Sequence, residues 1–371
     1  MRSTFSRLNR LFYHREAASA LLGISDAILR ECLSDNVAFI EQYSANIHKP
    51  DTVKLFSLLD ILKLAAWRRK QALVKSLAHK PVFIAVALVN DSISKDATAA
   101  ELCIQLQLSG YRTLIIDFDI GASLTQIMGY EPDIERCEAI ENDLEPEAIV
   151  TGTFFEVCKP YLENLTLAET EAENVANYIK WPFGPDGPAL IPSDSSLGTL
   201  EHTLAKSSDE SNLKFLSFFK ASAAGKTPGL NIKNFDVVLL NSPTTSGKIA
   251  LNVIAAADYV VAPVKMDTYG IKRVSRLVGE ITSAEISASK RTKLIILPTS
   301  YPNDISRTAR MSKRLHIYKE NLSNITIGPS ALLQVSLESY CPLTLQQPAS
   351  TPVKEYRQFK NFLLEKIATR V

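Results

Sequence analysis

Two carboxylates two positions apart, Asp117 and Asp119, close the apolar run Leu114-Ile115-Ile116, and a lysine, Lys95, lies upstream of them. Carboxylates at a strand end can hold a divalent cation or position a water, and a lysine behind a loop can hold phosphate oxygens. For such chemistry the groups must meet at the carboxyl edge of a parallel sheet, where ligands bind in α/β folds. The surrounding residues supply the elements. Val82–Val89 and Leu114–Asp119 are apolar and rich in β-branched residues, and Thr98–Leu108 spaces Ala, Leu and Ile at helical intervals. The pattern predicts strand, loop, helix, strand: one βαβ unit. Its loop, Asn90-Asp91-Ser92-Ile93-Ser94-Lys95-Asp96, falls where a helix start offers free N–H groups and a positive dipole end to phosphate.

Further apolar runs extend the sheet. Phe235–Pro243 is apolar on both faces, as a central parallel strand should be, and carries Asn241 near its end. Asp258–Val264 and Leu294–Leu297 read as strands, Ala189–Asp194 as a short one, and Ile325–Ser330 as a last short one. Residues 196–223, Asp267–Val278 and Glu355–Val371 read as helices. Glu131–Glu147 is acidic and irregular, Ala148–Val150 and Thr151–Phe155 are expected to form a helix end and a turn, and Trp181–Pro188 is a dense turn cluster. Gly225-Lys226-Thr227 imitates a phosphate motif, but no strand precedes it and Pro228 forbids the helix that should follow. The fold class expected is α/β, a doubly wound, mostly parallel sheet.

The βαβ unit resembles the ParA/MinD family of P-loop ATPases, which move plasmids, chromosomes and division machinery. The family loop reads Lys-Gly-Gly-x-Gly-Lys-Ser/Thr, followed by a strand ending in Asp-x-Asp. Here Asn90 takes the place of the first lysine, Asp91, Ser92 and Ser94 those of the glycines, and Asp96 that of the Mg²⁺-binding Ser/Thr. Lys95 matches the second lysine, and Asp117-Phe118-Asp119-Ile120-Gly121 matches closely. Phe235–Pro243 resembles the Walker B strand, with Asn241 where the family has Asp; an amide is a weaker Mg²⁺ partner than a carboxylate. The resemblance implies a P-loop NTPase-type sheet over residues 81–371, with ATP and Mg²⁺ as cofactors if the site works. Lys95, Asp117 and Asp119 would then be catalytic, Asp96 and Asp119 would hold the metal, and Asn90, Asp91, Ser92, Ser94, Lys95, Asp96 and Asn241 would line the nucleotide. The substitutions oppose hydrolysis. Glycines let the backbone wrap phosphates, and Asp91 and Asp96 bring like charge to them, which at about 4 Å and an effective dielectric of about 20 costs about 4 kcal/mol per pair.

Residues 1–80 read as a small helical module. Tyr13–Arg30 gives helix, turn at Gly23, and a second helix capped by Ser25. It resembles the winged helix-turn-helix in front of long plasmid-partition ATPases, with Leu55–Leu64 as the strand and helix that close the wing. That implies DNA contact through the helix starting at Ser25, with Arg30 its best basic residue. The basic runs at Arg68, Arg69 and Lys70, and at Arg307, Arg310 and Arg314, are candidates for DNA phosphates or for solvated faces. The family implies a homodimer, a ParB-type centromere-binding partner and a cytoplasmic, nucleoid-associated protein. Composition agrees: 371 residues at net charge +1 exclude a global basic field, and five cysteines without paired spacing fit a reduced compartment. No apolar run is long enough to span a membrane, and the apolar face of the last helix suits docking on the sheet better than a membrane surface. The rival reading is a non-hydrolysing DNA-binding regulator, or a partner of a competent ParA-type subunit.

Overall fold

The computed structural model describes residues 11–35, 55–88, 92–141, 144–165, 174–206, 213–300, 313 and 315–368. The chain begins with β1 (Phe12–Tyr13), α1 (Arg15–Leu22), α2 (Asp26–Asp35), β2 (Phe56–Ser57) and α3 (Leu58–Lys70). The core then runs β3 (Val82–Val86), α4 (Ser92–Leu108), β4 (Thr113–Asp117), α5 (Ser123–Ile127), α6 (Arg136–Glu141), α7 (Phe154–Leu162) and β5 (Ala189–Ile191). It continues through α8 (Gly198–Ala205), α9 (Lys214–Ala223), β6 (Val237–Asn241), α10 (Lys248–Ala256), β7 (Tyr259–Lys265), α11 (Thr268–Ala288) and β8 (Lys293–Thr299). Helices α12 (Leu332–Glu338), α13 (Leu343–Gln346) and α14 (Thr351–Ile367) complete it.

Six strands form one parallel sheet in the order β5-β4-β6-β3-β7-β8. β3 and the centres of β4 and β6 are apolar on both sides because both sheet faces are covered. One face packs on α4, α14 and the N-terminal helices in a cluster that runs from Leu21 and Ile61 to Leu106 and Phe359. The other packs on α7 to α11 around Phe118, Phe154, Phe215 and Phe218, whose rings meet edge-on or stacked about 5 Å apart.

The N-terminal helices are bound into this body. Gly23 ends α1 at φ +61°, a left-handed conformation that glycine adopts without a Cβ penalty. The Tyr13 hydroxyl donates to the Leu345 carbonyl at 2.7 Å, and Arg68 donates to the carbonyls of Leu22 and Leu108. A capping box between Ser57 and Asp60 starts α3.

Several expectations change. α4 begins at Ser92, not near Thr98, because no Gly or Pro interrupts the segment; Ser94, Lys95 and Asp96 therefore ride on helix rather than loop. A short helical turn ends at Ala148, but the stretch expected to follow as a turn opens a helix at Phe154, through a second capping box, Thr153 with Glu156. Ile325–Ser330 is not a strand: Ile327 N–H reaches Pro298, but Gly328 N–H goes to Glu355 and Pro329 has none to give. α11 runs on to Ala288, well past Val278.

Candidate nucleotide edge

Register brings the predicted residues together. Asn241 ends β6 between Val86 of β3 and Asp117 of β4, and the first turn of α4 sets Lys95 and Asp96 above them. Lys95, Asp117 and Asn241 have no exposed surface, and Asp96 and Asp119 have almost none. The Lys95 ammonium donates to Asp96 Oδ1 at 2.5 Å and to Asn241 Oδ1 at 2.8 Å, and lies 3.3 Å from Asp119 Oδ2. The Asn241 amide donates to Asp96 Oδ1 at 2.8 Å and to Asp117 Oδ1 at 2.9 Å. Asp117 further accepts from Asp119 N–H, Thr125 N–H and the Thr125 hydroxyl, the last at 2.7 Å.

Three carboxylates thus share one ammonium in a site closed to solvent. Burial opposes the charge on Lys95, but Asp96, Asp119 and Asp117 together hold its pKa above the ordinary lysine value. Burial raises Asp96 despite Lys95 beside it, and burial with the Asp96 charge pushes Asp117 up to about 6. Asp96 Oδ2 and Asp119 Oδ2 accept no hydrogen bond from any described residue.

The sequence reading set Lys95 to face phosphates and Asp117 or Asp119 to position water or Mg²⁺. The geometry differs: the ammonium turns into the protein, and both Asp117 oxygens are engaged by its own neighbours. Asp96, where the family places a Mg²⁺-binding hydroxyl, closes on Lys95. These side chains do not fit a Mg²⁺–nucleotide, and among the described residues no cluster of His, Cys, Asp and Glu could hold a metal ion. Asn90 and Asp91 lie outside the described residues, as does the Ser92 side chain. Ser94 is half-buried with its hydroxyl 3.3 Å from that of Thr299.

Sequence reasoning missed Thr125, whose hydroxyl also accepts Ser193 N–H and so ties the ends of β4 and β5 together. Its signal was a Thr eight residues past the strand-ending Asp. It also missed Glu101, a buried carboxylate that accepts from Leu343 and Thr344 and is pushed up to about 7 by burial.

Of the DNA candidates, Ser25 caps α2 by accepting from Ile28 N–H at 3.3 Å, and exposed Arg30 pairs with Asp26. Arg68 departs from expectation: its guanidinium is anchored on two internal carbonyls. Arg69 is half-buried beside Arg112. Arg307, Arg310 and Arg314 lie outside the described residues. No helix among the described residues is long and apolar enough to cross a membrane.

The parallel sheet, its strand order and the convergence at its carboxyl edge define a P-loop NTPase-type protein. A family model described as "AAA domain" matches residues 82–296. The putative replication protein A of Rhizobium rhizogenes is 23% identical over 323 residues, 83% of this chain and 72% of that protein. The chromosome-partitioning ATPase Soj of Thermus thermophilus is 26% identical over 144 residues, covering 38% of this chain and 56% of Soj. The ATP complex of a Cyanothece McdA variant superposes with a TM-score of 0.58 at 17% identity, over 78% of this chain and 98% of that one. The chain belongs to the ParA/MinD family of P-loop ATPases.

Proposed function

We propose that this protein is a ParA-type partition protein that binds DNA and dimerises without hydrolysing ATP, its nucleotide edge held shut by Lys95, Asp96 and Asn241. One observation carries the reading: the lysine that would hold phosphate is fully buried and bonded to the residues that replace the family's Mg²⁺ ligands. A triphosphate would have to displace Asp96 from Lys95 while adding negative charge to three carboxylates already in excess. The named roles of the Rhizobium and Thermus relatives, replication and chromosome partitioning, support a place in replicon maintenance. DNA contact falls to α1 and α2, as a winged helix-turn-helix with Ser25 and Arg30 at the recognition helix, and to Arg307, Arg310 and Arg314 as phosphate contacts. A homodimer and a ParB-type centromere-binding protein complete the assembly.

Calorimetry with ATP and ADP, with and without Mg²⁺, tests the closed edge. The expected result is no binding heat, with DNA affinity unchanged by either nucleotide. A micromolar dissociation constant that Lys95→Ala abolishes would instead make ATP a dimerisation switch.

A further inference from the structure

At the opposite, amino-terminal edge of the sheet, a cavity of about 150 Å³ opens between the end of α3, the start of β4 and the 181–187 turn cluster. Its wall is aromatic: Trp181, 44% exposed, stacks over Phe235 with ring centroids 6.4 Å apart. Gln107 fixes the turn cluster by donating to the Asp186 carbonyl, while its own carbonyl accepts from Thr113. The charged groups divide into two sets. Arg112 and Lys80 are bonded to Asp236. The Asp186 carboxylate acts on the charge of Arg69 across the cavity they both line, yet neither makes a side-chain hydrogen bond or ion pair with any described residue. The Asn234 amide and the Trp181 indole N–H are likewise unbonded at the rim.

We propose that this cavity binds a zwitterionic α-amino acid with an apolar side chain. Arg69 takes the carboxylate through its planar fork, Asp186 takes the ammonium, and Trp181 and Phe235 cover the side chain. The volume suits the side chain, since a cavity of about 150 Å³ accepts a benzene ring. A simple anion would leave Asp186 opposing it, and a simple cation would meet Arg69 and Arg112; a molecule bearing both charges answers both. Binding here needs neither nucleotide nor DNA, so the site stands or falls apart from the proposed function.

The test is calorimetry on the full chain with three probes: L-phenylalanine, benzoate, which lacks the ammonium, and phenethylamine, which lacks the carboxylate. Phenylalanine should bind saturably in the millimolar range or tighter, and each truncated probe at least about tenfold more weakly, as the loss of a charge-assisted hydrogen bond predicts. Trp181 fluorescence should report the same curve. Arg69→Gln and Asp186→Asn should each weaken phenylalanine by a similar factor without changing the circular dichroism spectrum. No saturable binding of phenylalanine, or benzoate binding as tightly as phenylalanine, overturns the proposal, and neither result depends on a variant folding.

Discussion

Asp117 and Asp236 sit at opposite ends of neighbouring strands and both are closed to solvent, at 0% and 1% exposure, yet their acidities move in opposite directions. Burial favours the protonated form of both. At Asp236 the Arg112 and Lys80 partners outweigh it and hold the carboxyl below the usual range. Their own side chains are 42% and 51% exposed, so two cations serve one carboxylate while keeping their contact with water. At Asp117 burial is complete, three carboxylates share the equally buried Lys95, and the carboxyl rises to about 6. The sign of the shift thus follows the number of cations per carboxylate and their access to solvent together with the completeness of burial. The carboxyl edge is an internal polar core; the amino edge is an ordinary clamped surface.

The sharpest break of this contrast is Lys95→Met. Removing the shared ammonium leaves buried carboxylates uncompensated and should cost about 3–5 kcal/mol in urea unfolding. Adding Asp96→Asn should restore part of it, because the two side chains are coupled. Unchanged stability in the single variant would mean that the ammonium does not hold the edge together. Next is Asn241→Asp, which returns the family's carboxylate. It loses the two amide donations to Asp96 and Asp117 and adds a fourth negative group, and should cost about 2–3 kcal/mol at neutral pH.

The contrast also marks where the sequence was legible. Apolar runs in β3, β4, β6, β7 and β8 have no other stable place than a covered parallel sheet, so strand identity followed from side-chain type alone. The convergence of Lys95, Asp96, Asp117, Asp119 and Asn241 followed from the places of the last three at strand ends and of the first two at the start of the crossover between β3 and β4. The direction in which Lys95 points did not, because it depends on Asn241 and Asp119, which are distant in sequence, competing with a ligand for the same ammonium. Helix starts were misjudged where a local signal was overlooked, as at Thr153-x-x-Glu156. Ile325–Ser330 was misjudged because an apolar, β-branched stretch does not reveal that its backbone donors go elsewhere. Arg68 looked like surface charge, and only the packing of α1 and α4 against it shows two carbonyls waiting for its guanidinium.

A smaller effect comes from the amino edge. Asp236→Asn frees Arg112 and Lys80 into water but keeps an acceptor for Arg112 N–H, so it should cost only about 1 kcal/mol and shrink further in salt.

The smallest effect is a pH slope, and its sign separates the two edges. Between the ordinary aspartate value, about 4, and about 6, native Asp117 keeps a proton that the unfolded chain has released. The native state therefore binds more protons in this window, and stability falls as pH rises through it. Glu101, raised to about 7, acts in the same direction over a slightly higher window. Asp236, with its lowered value, acts oppositely: its stabilisation is present above the ordinary aspartate value and fades as pH falls below it. Urea midpoints at about pH 5 and about pH 7 should therefore favour the lower pH, by less than about 1.4 kcal/mol per unit for each group. Asp117→Asn should flatten the lower part of the slope and Glu101→Gln the upper part, while Asp236→Asn should leave both and alter only the acid limb. A slope untouched by Asp117→Asn would mean that Lys95 neutralises Asp117 as fully as Arg112 and Lys80 neutralise Asp236, and the two ends of the sheet would then be alike.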